Sequence, residues 1–169
     1  MSTTPPSYDQ VVELPAQISQ SVPAEFIDDN GHMNIGRYLQ LGGQALWKRS
    51  LADLGMGASY IHDRGMSTFT AEHHLQYFSE LLEGNDLSVR VRLLERSDRV
   101  FHAVSLVVDE TQRRLACVVE TTIVHIDMTT RRPTAFPDDI ATLLDVALKA
   151  DALDWSAPVC GAMGVRRRA

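Results

Sequence analysis

Asp28-Asp29-Asn30-Gly31-His32-Met33-Asn34, running on into Ile35-Gly36-Arg37-Tyr38-Leu39, is the stretch on which the fold turns. Its first four residues are turn formers: Asp and Asn side chains bond back to nearby amides, and Gly31 accepts a left-handed backbone. From Ile35 onward Leu39, Gly42, Ala45 and Leu46 recur at helical spacing, and Tyr38 and Leu41 widen the apolar stripe. Asn34 stands at the N-cap position, where its side-chain oxygen can accept an unpaired amide of the first turn, and Gly55 suits a left-handed closure. The spacing predicts a helix over 35–54. Gly36, Gly42 and Gly43 within it would each weaken an isolated helix by about 1 kcal/mol relative to Ala. A sheet lying close against the helix has to supply the compensation.

Strand patterns lie on both sides. Upstream, residues 1–16 carry Pro5, Pro6 and Pro15 and read as a loosely held arm, and Ile18 to Phe26 alternates as a strand that Pro23 places at an edge or an irregularity. Downstream, after a loop containing Gly57 and Gly65, Met66 to Ser79 is rich in Thr and aromatics. Leu87, Val89, Val91 and Leu93 then alternate with Ser88, Arg90 and Arg92, giving one apolar and one wet face. Val100 to Val108 and Leu115 to Asp127 flank a hairpin turn at 109–113. A short helix follows, capped by Asp138 or Asp139, with Ile140, Leu143, Leu144 and Leu148 on its apolar face. One strand, one long helix and four strands make an α+β order in which a sheet wraps a central helix, as one domain over 17–150. The tail 151–169, with Trp155, either docks on that domain or stays loose.

At 169 residues such a domain buries about 70% of the surface of its unfolded chain, and 44% hydrophobic with 22% charged residues is a globular composition. A net charge of -6 argues against a nucleic-acid partner, and the one basic cluster, Arg166-Arg167-Arg168, ends the chain. The first residues lack the basic start and apolar run of a secretory leader, which predicts a cytoplasmic protein with no membrane attachment. Cys117, inside an apolar strand, and Cys160, in the tail, read as free thiols. With no His-Glu-x-x-His run, Cys/His set, Walker loop or dinucleotide fingerprint, neither a metal nor a cofactor is expected.

The run Asp28-x-x-Gly31-His32-x-Asn34, with Tyr38 one helical turn past the cap, resembles the signature of the 4-hydroxybenzoyl-CoA thioesterase-like branch of the hotdog superfamily. A second patch, Phe69-Thr70-Ala71-Glu72-His73-His74-x-x-Tyr77, with Arg99-Val100-Phe101-His102 and His125-Ile126-Asp127, is similar to thioesterases of carnitine breakdown, which act on betainyl-CoA. The resemblance covers about residues 17–145. It implies a hotdog fold, an antiparallel five-stranded sheet around a long central helix. It also implies an acyl-CoA substrate, with coenzyme A part of the substrate rather than a cofactor, and a homodimer or a tetramer of dimers with the site at the interface beside the helix start.

Thioester hydrolysis needs a group that activates water or attacks the carbonyl, and donors for the oxyanion that develops. The resemblance carries Asp28 over as the catalytic carboxylate, nucleophile or general base. The opening turn of the helix offers amides near Ile35 and Gly36 as oxyanion donors. Asn34 is better explained as the cap than as a substrate contact, and His32 either orients Asp28 or fills the turn. Alternation puts Glu72 and His74 on one strand face, opposite Phe69, Ala71, Leu75 and Tyr77. That face is either ordinary solvated sheet or active-site wall; the family pattern gives Glu72 a supporting catalytic role and puts His74 on the substrate wall, whereas His102 and His125 read as satisfied structural histidines. Ile35, Gly36, Tyr38, Trp47, His74 and Tyr77 are the candidate substrate contacts. Trp47, Tyr60, Tyr77 and Phe78 are the aromatic faces available to a trimethylammonium group. The competing readings are a hotdog dehydratase acting on a hydroxyacyl thioester and a non-catalytic acyl-CoA-binding protein, the latter having little need of Asp28.

Overall fold

The computed structural model describes residues 5–166. In chain order these form α1 (Tyr8–Val11), β1 (Ala16–Ser21), a 3-10 turn (Ala24–Phe26), α2 (Ile35–Asp53), α3 (Ala58–Arg64), β2 (Met66–Tyr77), β3 (Asp86–Arg96), β4 (Val100–Asp109), β5 (Arg114–Asp127), β6 (Arg132–Pro133) and α4 (Asp138–Ala150). All pairings are antiparallel, in the order β1-β3-β4-β5-β2, and the two-residue β6 pairs with β5. The five long strands curl around α2 as a hotdog fold requires. The strand expected from Ile18 to Phe26 stops at Ser21, because Pro23 opens the 3-10 turn instead.

Helix α2 buries Tyr38, Leu41, Gly42, Ala45 and Leu46 in one core with Val89, Val91, Phe101, Ala103 and Val119. Leu39, expected in that stripe, is 37% exposed, because the buried face is centred one residue earlier. The close approach occurs at Gly42. A Cβ there would lie 2.8 Å from Val119 Cγ2, and Ser105 Oγ donates to Gly42 O at 2.9 Å. At the far end of α2, the Arg49 guanidinium forms a buried ion pair with Asp151 (2.8 Å), whose carboxylate also accepts the Leu93 amide (2.6 Å). Gly55, at φ 64°, takes the left-handed position expected after the helix. The supposed loop that follows holds α3, with Gly57 as N-cap and Gly65 as left-handed C-cap. Helix α4 begins after Pro137, and Asp138 and Asp139 lie in its first turn rather than at the cap.

The sheet face turned away from α2 is covered rather than wet. In the segment read as a loose arm, Ser7 and Gln10 form a capping box on α1, and Val11 and Leu14 are buried with Val104, Leu106, Val118 and Trp155. Residues 1–4 lie outside the described part. The tail docks there too. Arg92, expected on a solvated face, is 7% exposed: its guanidinium stacks on Trp155 at 4.4 Å and donates to the carbonyls of Asp151, Leu153 and Trp155. Arg166 pairs with Glu72, while Arg167 and Arg168 of the basic cluster are outside the described residues.

His125 shows how a buried histidine is satisfied in this core. Nδ1 lies 3.0 Å from Thr134 O, an acceptor only, so Nδ1 carries the proton and Nε2 accepts from Tyr60 OH at 2.7 Å. Burial holds the imidazole pKa below its ordinary 6.5 and pushes the Tyr60 phenol up to about 12. The unfolded chain therefore takes up a proton at this site as the pH falls through about 6.5, and the folded chain does not. Stability present above that pH is lost as the pH falls toward the folded value. Urea titrations between pH 7 and 5 should accordingly show a steeper loss for the wild type than for His125→Gln. Gly42→Ala should be less stable by about 1–2 kcal/mol despite its better helix propensity, because the added methyl meets a β-branched side chain. Adding Val119→Ala should make the pair less destabilised than the sum of the single changes.

Candidate active site

The chain closes tightly between Phe26 and Asn34. Asn34 N–H donates to Phe26 O (2.8 Å), Ile27 and Met33 form an isolated antiparallel bridge, and Asp28 N–H donates to His32 O (3.0 Å). Gly31, at φ 80°, turns the tip and donates to Asp28 O at 2.9 Å. One residue fixes this loop and the helix start together. Met33 N–H donates to Leu81 O (2.8 Å), and Leu81 N–H donates to the Tyr38 hydroxyl (3.2 Å).

Asp28, Asn34 and Gly36 line a cavity of about 360 Å³ together with Glu25, Phe26, Ile27, Arg37 and Gln40. The Asp28 side chain is 22% exposed, and its Oδ1 accepts the Asn30 amide at 2.9 Å, while the second carboxylate oxygen has no partner among the described residues. Asn34 caps α2 as expected, its Oδ1 accepting the Gly36 amide at 2.9 Å. That bond revises the oxyanion reading. The Gly36 N–H is engaged by the cap and the Arg37 N–H by Asn34 O (2.9 Å), so among the described residues Ile35 supplies the one uncommitted amide of the opening turn. Gly36 serves the cap itself, since a Cβ there would stand 3.3 Å from Asn34 Oδ1.

On the other side of the helix start lies a second cavity, about 350 Å³, lined by His32, Met33, Ile35, Tyr38, Tyr77, Phe78, Ser79 and Glu80. Tyr77 donates to Ile35 O at 3.3 Å and meets Tyr38 edge-on, with ring centroids 5.3 Å apart. Burial raises both phenols, Tyr38 to about 12, so both keep their protons near neutral pH. His32 Nδ1 stands 3.8 Å from Asp28 Oδ1, beyond hydrogen-bond length, so the contact between them is an ion pair only when the imidazole is charged.

Glu72, His74, Trp47 and Tyr60, four residues expected at the site, lie elsewhere. Leu75 pairs with Val119, which touches α2, so Leu75 and Tyr77 face the helix and Glu72 and His74 face away. Glu72 instead borders a cavity of about 280 Å³ with Thr122, Val124 and Arg166. A bulge between Thr70 and Glu72 also turns Phe69, paired with Val124, onto the face of Glu72 rather than the opposite one. Trp47 is 45% exposed, and it lies about 18 Å along the helix from Ile35 at 1.5 Å per residue. Tyr60 is buried against His125. Glu25, Arg37 and Gln40 were not anticipated. Arg37 stacks on Phe26 at 4.7 Å and donates to Gln40 (2.9 Å) and Glu25 O (3.3 Å). A signal existed for two of them, since Asn34, Arg37 and Gln40 recur every three residues.

The sequence model of the thioesterase-like superfamily matches residues 22–144, a span that contains the loop, the capped helix and the whole sheet except β1. The chain belongs to the thioesterase-like superfamily. Within it, an L-carnitine dehydrogenase/betainyl-CoA thioesterase of Agrobacterium fabrum is 32% identical over 120 residues, which is 71% of this chain and 24% of that protein. The chain thus spans about a quarter of the length of that relative. A betainyl-CoA thioesterase of Pseudomonas aeruginosa is 24% identical over 126 residues, 75% of this chain and 79% of that protein. Among solved structures, a Staphylococcus aureus protein in complex with CoA superimposes with a TM-score of 0.80 at 23% identity, over 92% of this chain and 97% of that one. A 1,4-dihydroxy-2-naphthoyl-CoA thioesterase from Synechocystis gives 0.66 at 16% identity, over 76% and 93%. These likenesses place the chain in the hotdog fold.

The cap is a separable part of the site. Asn34→Ala should lower stability by about 1 kcal/mol in urea unfolding, as loss of a capping side chain does elsewhere, and Asn34→Asp should restore most of it.

Proposed function

We propose that the chain is a thioester hydrolase acting on an acyl-CoA, with Asp28 as nucleophile or general base. The observation that carries this reading is the sharing of one cavity by Asp28 and the first turn of α2. The thioester carbonyl lies against the helix start, where Asn34 and Gly36 border the Asp28 cavity and Ile35 the aromatic one, and the Ile35 amide and the helix dipole meet the developing oxyanion. Asp28 delivers water, or attacks directly, from the loop opposite. Asn34 acts by capping, and His32, 3.8 Å from Asp28, orients the carboxylate or fills the turn. Glu72 is left out of the mechanism within one chain.

The acyl group is compact, and the relatives point to betainyl-CoA. The cavity of Tyr38, Tyr77, Phe78 and Glu80 supports that choice, since aromatic faces attract a trimethylammonium group by about 0.5–2 kcal/mol per good contact and a carboxylate adds to it. Trp47 and Tyr60 have no place in this pocket. A homodimer is part of the reading too: β2, twelve residues long, forms one edge of the sheet, and an edge of that length calls for a partner strand.

Thiol release from a panel of acyl-CoA esters that includes betainyl-CoA tests the reading. Asp28→Asn, which keeps the acceptor for the Asn30 amide, should fold and bind CoA esters while turnover falls about 10²–10⁴-fold. Wild-type turnover in that variant would overturn the assignment of Asp28. Failure on betainyl-CoA with success on aromatic or fatty acyl-CoA would discard the substrate and keep the class.

A further inference from the structure

The sheet face turned away from α2 holds a polar cluster that the proposed hydrolysis does not use. Glu120 is fully buried at its centre on β5. Across the β5 pairing on one side lies His74 of β2, in direct register with Glu120, and its Nδ1 is 3.7 Å from Glu120 Oε2. From the other side His102 of β4 places Nε2 2.9 Å from Glu120 Oε1. The docked tail closes over this group. Cys160 N–H donates to Glu120 Oε2 at 2.8 Å, and Ala162 N–H donates to Cys160 Sγ at 3.4 Å, which fixes the sulfur's direction. Ligand atoms of His74, Glu120 and Cys160 all lie within 4.8 Å of one another.

We propose that His74, Glu120 and Cys160 form a binding site for a borderline divalent transition-metal ion, zinc foremost. An imidazole, a carboxylate and a thiolate are a zinc donor set, and the thiolate selects against magnesium and calcium, which take oxygen ligands. With bonds of about 2.0–2.3 Å, tetrahedral zinc holds its ligands about 3.3–3.8 Å apart. The His74–Glu120 separation of 3.7 Å is already such an edge. Small rotations of the His74 and Cys160 side chains bring the third ligand in from the present spacing.

Two further features suit an ion. Glu120 carries a carboxylate into a site where, among the described residues, no Lys or Arg meets it; the groups that face it are His74, His102 and the Cys160 segment. Each carboxylate oxygen offers two lone pairs, so Oε2 keeps one for a metal while it accepts the Cys160 amide. His102 holds the carboxylate from behind at 2.9 Å, as the hydrogen-bonded partners of metal ligands commonly do, and Glu95 stands 3.7 Å from its Nδ1, beyond hydrogen-bond length. The His74 side chain is 42% exposed, which leaves an entry path and a fourth position for water.

Zinc binding by the full chain can be measured by competition with a chromophoric chelator and by metal analysis after desalting. The wild type should retain close to one zinc per chain, and magnesium should not compete. Cys160→Ser and His74→Ala, which spare the core and the Glu120 amide bond, should each weaken zinc at least about tenfold. The cobalt-loaded wild type should show a thiolate-to-metal charge-transfer band that Cys160→Ser lacks, and zinc should raise the melting temperature of the wild type but not of Cys160→Ser. Absence of zinc at micromolar concentrations, or binding that survives both substitutions unchanged, would overturn the site. Asp28→Asn should bind zinc like the wild type, so that loss of hydrolysis and loss of metal are read separately.

Discussion

Between Gly42 and Val119 there is no room for a methyl group, and the hydroxyl of Ser105 reaches the Gly42 carbonyl across the same gap. This contact sets how deep α2 sits in the curl of the sheet. The helix accepts the conformational cost of a mid-helix glycine because the backbone then comes near enough to the sheet for close packing along the whole buried stripe. The buried Arg49–Asp151 pair fixes the other end of the same helix, linking it to β3 and to the residue after α4. A buried ion pair of this kind is weak support for stability, since desolvation offsets attraction, but breaking it would strand a charge.

With the helix axis set, the position of its first turn follows. Leu81 holds both Met33 and Tyr38, so the Asp28 loop and the start of α2 move as one piece. The loop needs little else: a left-handed Gly31, an aspartate that bonds its own turn, and an asparagine that closes the helix. Because the cap engages the Gly36 amide, Ile35, which lines the aromatic cavity, holds the one uncommitted N–H of the opening turn among the described residues. The helix start thus divides two spaces of similar size, one acidic and basic at its rim, the other walled by Tyr38, Tyr77 and Phe78.

The outer face of the sheet has its own organisation. Arg92 gathers three tail carbonyls and stacks on Trp155, and the tail beyond it reaches Glu120 of β5 through the Cys160 amide. Without that docking Cys160 would be a surface thiol in a loose tail. Buried Cys117, by contrast, has its thiol pushed up to about 12 by burial and stays a small apolar side chain.

The amino-acid sequence alone determined the loop, the capped helix, the succession of the long strands along the chain and the α+β class, because those signals are local: a cap acts within three residues, and apolar periodicity is read within one element. His102 and His125 were legible as satisfied histidines for a similar reason, their apolar strand context. The tertiary structure decided the rest. A bulge at Thr70/Glu72 and the pairing of β2 with β5 turned Glu72 and His74 away from Asp28. Docking of α1 and the tail buried a face that alternation alone marks as wet. The meeting of His74, Glu120 and Cys160 depends on strand order and tail docking together, and these are fixed by contacts between residues far apart in the chain, for which no short sequence pattern carries the spacing.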